Sequence, residues 1–266
     1  MGVSLSVWGV RGSLPVADRQ FLEYGGNTSC FCLDYGEGLL CLDAGSGLIG
    51  RLPERTGRVD ILIGHAHMDH ILGLYSLSGL EGTEVHLYGG AQEGVSFRKQ
   101  LETAIGRPYW PLGLADIEDR VEIHEIEAGE VFSLAGKERG PRISALRGNH
   151  PGGCLLYRAK IGEASVTYAL DCEMNEEMVS SLTEFARGTS LLIWDASFTR
   201  GDKRPGWGHS TWEEGLALGK AAGAGRILMT HYFGSYTDSF LREQQRLAEA
   251  ESSSCLFARE GMVIEL

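Results

Sequence analysis

The chain has 266 residues, 43% of them apolar, and a formal charge of −12, which allows a substantial core but shows no basic patch for gripping a nucleic acid polymer through its phosphates. Its longest apolar runs, such as Leu191 to Trp194, fall far short of the roughly 18 residues a membrane helix needs, and Met1 to Arg11 lacks the basic region and apolar stretch of a secretory signal. The six cysteines, at 30, 32, 41, 154, 172 and 255, lie in or beside apolar strand-like runs and read as reduced thiols, which implies a cytoplasmic protein.

No repeat, low-complexity stretch or linker interrupts the chain, so residues 1–266 are expected to form one domain. In chain order, short apolar and β-branched runs predict strands over 3–10, 30–35, 39–42, 59–63, 84–88, 121–126, 154–160, 165–170, 191–194, 226–229 and 262–264. Helical patterns fall over 69–77, 91–103, 175–186, 211–222 and 238–250. The helix at 211 carries the clearest signals: Thr211 and Glu214 form a Thr-x-x-Glu capping box, and Gly223 and Gly225 supply a stop. Many strands with fewer helices suggest an α/β layered sandwich, two sheets face to face with helices on the outer faces.

Five ionisable residues stand just past predicted strands: Asp43, His65, Asp171, Asp195 and His231. The carboxyl ends of strands are where ligand sites form, because rigid strands aim the loops that come after them. The densest signal is His65-Ala66-His67-Met68-Asp69-His70. In an extended stretch, residues two apart point the same way, so His65 and His67 can reach one metal while Asp69 continues on that side. His70 is out of phase and can turn to a second ion as the chain enters a helix. Imidazole and carboxylate suit zinc, with manganese or iron as alternatives, and the absence of thiolates argues against a closed structural zinc site. A binuclear centre needs more ligands, and His150, Asp171 and His231 supply them, with Asp171 as the natural bridging carboxylate. His86 and His124 sit within strand patterns and read as structural or exposed.

These residues, in this order, resemble the metallo-β-lactamase superfamily, whose fold is an αββα sandwich. The likeness runs from Trp8-Gly9-Val10-Arg11-Gly12-Ser13 and Gly25-Gly26-Asn27-Thr28-Ser29 through Leu42-Asp43-Ala44-Gly45 to Thr230-His231-Tyr232. By analogy with that family, His65, His67 and His150 bind a first metal, Asp69, His70 and His231 a second, and Asp171 bridges them. Gly208-His209-Ser210-Thr211 is similar to the segment carrying an additional active-site histidine in the family's phosphodiesterase branch, which includes ribonuclease Z and cyclic-phosphodiester hydrolases. The resemblance therefore implies hydrolysis of a phosphodiester by a metal-bridging hydroxide, with Asp69 orienting the water and His209 donating at the phosphate or leaving oxygen. Asp43 and Asp195 are expected to orient ligating histidines from behind.

Ribonuclease Z enzymes carry a tRNA-clamping arm between the positions matching His150 and Asp171; here the interval suffices only for a hairpin over 154–170. With the acidic balance, this favours a small or cyclic nucleotide phosphodiester, a small anionic substrate, over tRNA 3′-processing. A carboxyl-ester, lactone or thioester hydrolase on the same two-metal platform is the alternative enzyme, and a non-catalytic ligand sensor the alternative outside catalysis. The proline- and aromatic-rich stretch 105–114 reads either as a lid or as packing, Trp207 either as a base-stacking platform or as loop packing, and a homo-oligomer stays open.

Overall fold

A computed structural model describes residues 2–49, 51, 57–79, 82–134 and 140–266. The first sheet contains β1 (Ser4–Gly9), β2 (Cys30–Asp34), β3 (Leu39–Leu42), β4 (Gly57–Leu62), β5 (Thr83–Gly89), β6 (Val121–Glu125) and β14 (Val263–Glu265), in the order β14-β1-β2-β3-β4-β5-β6. The second contains β7 (Val131–Ser133), β8 (Arg142–Gly148), β9 (Cys154–Ile161), β10 (Ala164–Ala169), β11 (Leu191–Asp195), β12 (Arg226–Thr230) and β13 (Cys255–Phe257), in the order β13-β12-β11-β10-β9-β8-β7. Each sheet joins antiparallel strands to a parallel run, β3 to β6 in the first and β10 to β13 in the second. The helices are α1 (Met68–Ile71), α2 (Phe97–Ala104), α3 (Glu176–Phe185), α4 (Trp212–Ala222) and α5 (Asp238–Glu251). This is the expected αββα sandwich.

Alternation of side chains along the strands divides the core. Phe31, Leu33, Leu40 and Leu42 face the second sheet and join Leu156, Val166 and Tyr168 in the larger cluster, while Cys30, Cys32 and Cys41 turn outward onto Ile71, Leu74, Phe97 and Leu101. Among the described residues no helix is long and apolar enough to cross a membrane. The helix at 211 starts and stops as its signals require: Glu214 N–H donates to Thr211 Oγ1, Thr211 N–H to the Glu214 carboxylate, and Gly223 closes the helix at φ 67°.

Four expectations are corrected. The helix over 69–77 is a single α turn followed by a 3-10 stretch, Leu72–Gly79. Its backbone is diverted, since Gly73 N–H donates to Ala44 O and His70 O accepts from Ala44 N–H, tying the segment to the turn after β3. The helix over 91–103 begins only at Phe97, because Gln92 and Val95 close a tight turn on each other and Ser96 caps the first turn of α2. Strands β7, β8 and β13 escape a periodicity reading: β7 and β13 are three residues long, and β8 mixes arginine and serine with its apolar positions. Finally, the cysteines are not all reduced, because Cys32 and Cys41 form a disulfide, leaving the other four as buried thiols. The two lie directly opposite on neighbouring antiparallel strands, with Cα atoms 4.2 Å apart, the close spacing of a pair that shares no ladder hydrogen bonds. The cytoplasmic expectation loses that part of its support.

Candidate metal centre

Five strand ends meet at one pole of the sandwich. β3 delivers Asp43, β4 His65, β10 Asp171, β11 Asp195 and β12 His231. Asp43, Asp171 and His231 adopt left-handed backbone angles, with φ of 57°, 55° and 61°. Such angles are costly for residues other than glycine and concentrate at functional sites; here they turn each side chain sharply off its strand.

The seven expected ligands converge. His65, His67 and His150 bring three nitrogens within metal-binding reach of one another, and Asp69, His70 and His231 form a second such group. Asp171 stands between them: its Oδ1 lies 3.9 Å from His150 Nε2, while its Oδ2 lies 3.0 Å from His70 Nε2 and 3.3 Å from His231 Nε2. His67 Nδ1 and His150 Nε2 are 3.3 Å apart.

Four of the converging atoms, His65 Nε2, His70 Nε2, Asp171 Oδ2 and His231 Nε2, are fully buried without a hydrogen-bond partner. Orphaned buried polar atoms are rare because each costs on the order of 1–3 kcal/mol. Four aimed at one place fit a divalent metal site, for which nitrogen and oxygen donors are suited.

The far side of each ring is held. His70 Nδ1–H donates to Asp43 Oδ2 at 2.5 Å, and Asp43 also accepts from Tyr168 Oη at 2.6 Å and from Gly64 N–H at 2.7 Å. His150 Nδ1–H donates to Gly208 O at 3.0 Å, and His231 Nδ1 sits 2.8 Å from Ser29 Oγ. The carboxylate and carbonyl acceptors select the His70 and His150 tautomers that leave Nε2 free to ligate, and the Ser29 hydroxyl holds the His231 ring in place. The expectation for Asp43 matches this geometry. Asp195 behaves differently: it accepts from His209 Nδ1–H at 2.9 Å, and it also takes Asp171 N–H and Ser197 Oγ–H. It orients His209 and the Asp171 turn, and none of the five histidines among the seven.

Electrostatics follow from burial and charge. Burial holds His65, His67 and His150 below the ordinary histidine value, reinforced by neighbouring imidazoles, so all three stay neutral. Burial opposes charge on Asp69 and Asp171 too, but the facing imidazoles outweigh it and keep both carboxyls ionised below their usual range. His70 faces Asp69, Asp171 and Asp43, which overcome its burial and push it well up. For His209, burial is likewise outweighed, chiefly by Asp195, and its pKa rises to about 9.

Several supporting residues escape a sequence reading. Gln92 accepts from Ala66 N–H and donates to Gly153 O, bracing the His65–His67 loop against the segment after His150. Ser13 N–H donates to Asp69 Oδ2 at 2.7 Å. The Glu173 carboxylate accepts from Gly206 and Gly208 N–H, shaping the loop that carries His209. Only Gly12 and Gly208 carry a legible signal, as glycines within the Trp8–Ser13 and Gly208–Thr211 motifs. A Cβ on Gly12 would stand 2.7 Å from His231 Nε2, and one on Gly208, at φ 81°, would stand 2.1 Å from His150 Nδ1.

The stretch 105–114 packs by Trp110 against Tyr75 and by Ile105 and Leu114 into the outer core of the first sheet. Trp207 belongs to an aromatic group beside the site: the Arg204 guanidinium lies 4.6 Å from its ring, 5.7 Å from Phe198 and 5.0 Å from Phe233, and Phe198 stands 5.9 Å from His209.

Residues 40–232 match the family model of the beta-lactamase superfamily domain. The chain is 24% identical to the probable metallo-hydrolase YhfI of Bacillus subtilis (strain 168) over 99% of this chain and 100% of that protein. It is 26% identical to ribonuclease Z of Brevibacillus brevis, covering 71% of this chain and 72% of that one. The crystal structure of the metallo-beta-lactamase fold protein YhfI from Bacillus subtilis superposes with a TM-score of 0.74 at 22% identity, covering 99% of both chains. A diphosphatase from the PhnP family superposes at 0.71 with 19% identity, over 100% of this chain and 98% of that one.

Proposed function

The chain belongs to the beta-lactamase superfamily and is a hydrolase by that membership, and from this premise we propose that it cleaves a small or cyclic nucleotide phosphodiester. His65, His67 and His150 would hold one divalent ion and Asp69, His70 and His231 the other, with Asp171 between them and zinc favoured by the donors. Bound there, such ions would supply Lewis-acid polarisation of a phosphoryl oxygen and lower the pKa of a water.

The chain's own groups supply the rest. Asp69, its carboxylate fixed by Ser13 N–H, accepts from the attacking water and orients it. His209 gives its Nδ1 proton to the hydrogen bond with Asp195, which leaves Nε2–H for the phosphate or the departing oxygen. As the water oxygen bonds to phosphorus and releases a proton by way of the Asp69 carboxylate, the ester P–O bond breaks and the His209 proton passes to the leaving alkoxide; exchange with solvent then returns both groups to their starting protonation states.

The observation that carries the phosphodiester reading is the pair of donors beside the candidate metal ligands: His209, held by Asp195, and the Arg204 guanidinium, packed against Phe198, whose ring stands 5.9 Å from His209. A phosphodiester monoanion needs such partners, whereas a neutral ester or lactone does not. Trp207, half exposed, offers a ring face to a base. The interval between His150 and Asp171 is the plain hairpin β9–β10, which supports a small substrate over tRNA even though ribonuclease Z is among the relatives.

The test is a parallel assay of bis(p-nitrophenyl) phosphate, cyclic and linear dinucleotides, cyclic mononucleotides, lactones and thioesters, each with zinc, manganese and iron. Turnover of phosphodiesters is expected. Turnover confined to the acyl substrates would sink the reading.

A further inference from the structure

A second group of histidines lies away from the strand-end pole. His86 on β5 stands in register with Glu122 on β6, and His124 comes two residues later on the same face. His86 Nδ1 lies 2.9 Å from His124 Nε2 and 3.7 Å from a Glu122 oxygen, and His124 Nε2 lies 3.6 Å from the other Glu122 oxygen. A tetrahedral ion with bonds of about 2.0–2.1 Å separates its ligands by roughly 3.3 Å, so the triangle matches in size.

The tautomer matches as well. His86 Nε2–H donates to Glu84 Oε1 at 2.6 Å, which turns the Nδ1 lone pair toward His124. This is the carboxylate–histidine arrangement that orients metal-binding imidazoles. Tyr88 stacks on His124 with ring centroids 4.4 Å apart, fixing that ring too. Neighbouring Asp60 is engaged by Arg58 and by Tyr88 Oη, which keeps it out of the set. The His86 side chain is 3% exposed, but Glu122 is 61% exposed, so the group opens to solvent on one side.

We propose that His86, His124 and Glu122 form an auxiliary site for a zinc-class divalent ion, with Glu84 positioning His86 and water completing the coordination. The site joins the edge strand β6 to β5, so occupancy ties down the margin of the first sheet. It is independent of the proposed phosphodiester substrate.

The experiment uses the full chain with zinc as the probe. Bound zinc is counted after gel filtration for the parent, His124→Ala and Glu122→Gln, with circular dichroism of the zinc-free proteins to verify folding. Long-range histidine 1H–15N spectra are recorded during zinc titration. The expected result is about one equivalent less zinc in both variants, with the His86 Nδ1 and His124 Nε2 resonances of the parent shifting on zinc addition. Equal zinc in all three proteins, with both resonances unmoved, overturns the proposal and leaves a plain hydrogen bond from His124 Nε2–H to His86 Nδ1. Should one variant misfold, the parent's spectra alone decide between these outcomes.

Discussion

Both clusters combine histidines with carboxylates, aspartates at the strand-end pole and a glutamate on the β5–β6 face, yet they are embedded differently. At the strand-end pole the converging atoms are buried and orphaned, delivered by turns with left-handed backbone angles and braced from behind by Asp43, Gly208 and Ser29. On the β5–β6 face, regular strand geometry supplies the group, and the ring nitrogens of His86 and His124 Nε2 already have partners. The difference teaches that a site is marked by what the protein gives up for it. Strained turns and unsatisfied buried atoms are costs the fold would shed without a ligand, whereas regular cross-strand placement carries no such mark.

The largest expected effect falls on the pole. Asp171→Asn should reduce hydrolase turnover below detection and remove both ions, since Asp171 faces both ligand groups; retention of two metal equivalents by elemental analysis would contradict the bridging role. Next, His209→Ala should cut kcat by about 10²–10⁴-fold while metal content stays at the parent level. Full activity in that variant would remove His209 from the chemistry. Asp43→Asn should weaken metal binding by about 10–100-fold, read by competition with a chromophoric chelator, because His70 Nδ1–H loses a charged acceptor. Stripping metal with a chelator should lower the melting temperature by roughly 5–10 °C, which corresponds to about 2.7 kcal/mol for one site at a hundredfold excess of ligand over Kd. The smallest effect belongs to the other cluster: Glu84→Gln should weaken its zinc affinity by about tenfold and leave metal at the pole unchanged. A larger loss at the pole than on the β5–β6 face would merge two sites that are distinct here.

The candidate site is more legible in the sequence than its supports. His65, His67, Asp69 and His70 lie in six consecutive residues, and His150, Asp171 and His231 each adjoin a strand, so spacing and position reveal them. Gln92, Tyr168 and Glu173 are ordinary polar or aromatic residues whose side chains reach partners 26 to 125 positions away; nothing local distinguishes them. The helices expected at 69 and 91 fall short for a related reason. Gly73 gives its N–H to Ala44 and Gln92 its side chain to Ala66 and Gly153, and such long-range bonds outweigh local helical propensity.

By itself the sequence determined the layered α/β class and the central strands and pointed to the seven side chains that converge, because burial periodicity and donor chemistry are written residue by residue. Only the tertiary structure decided that Asp195 serves His209, that Cys32 pairs with Cys41, and that His86, His124 and Glu122 meet on one face. The last two depend on the register between strands, which side-chain alternation narrows but only the packed sheets select, and the first on the loop before α4 folding back over β11.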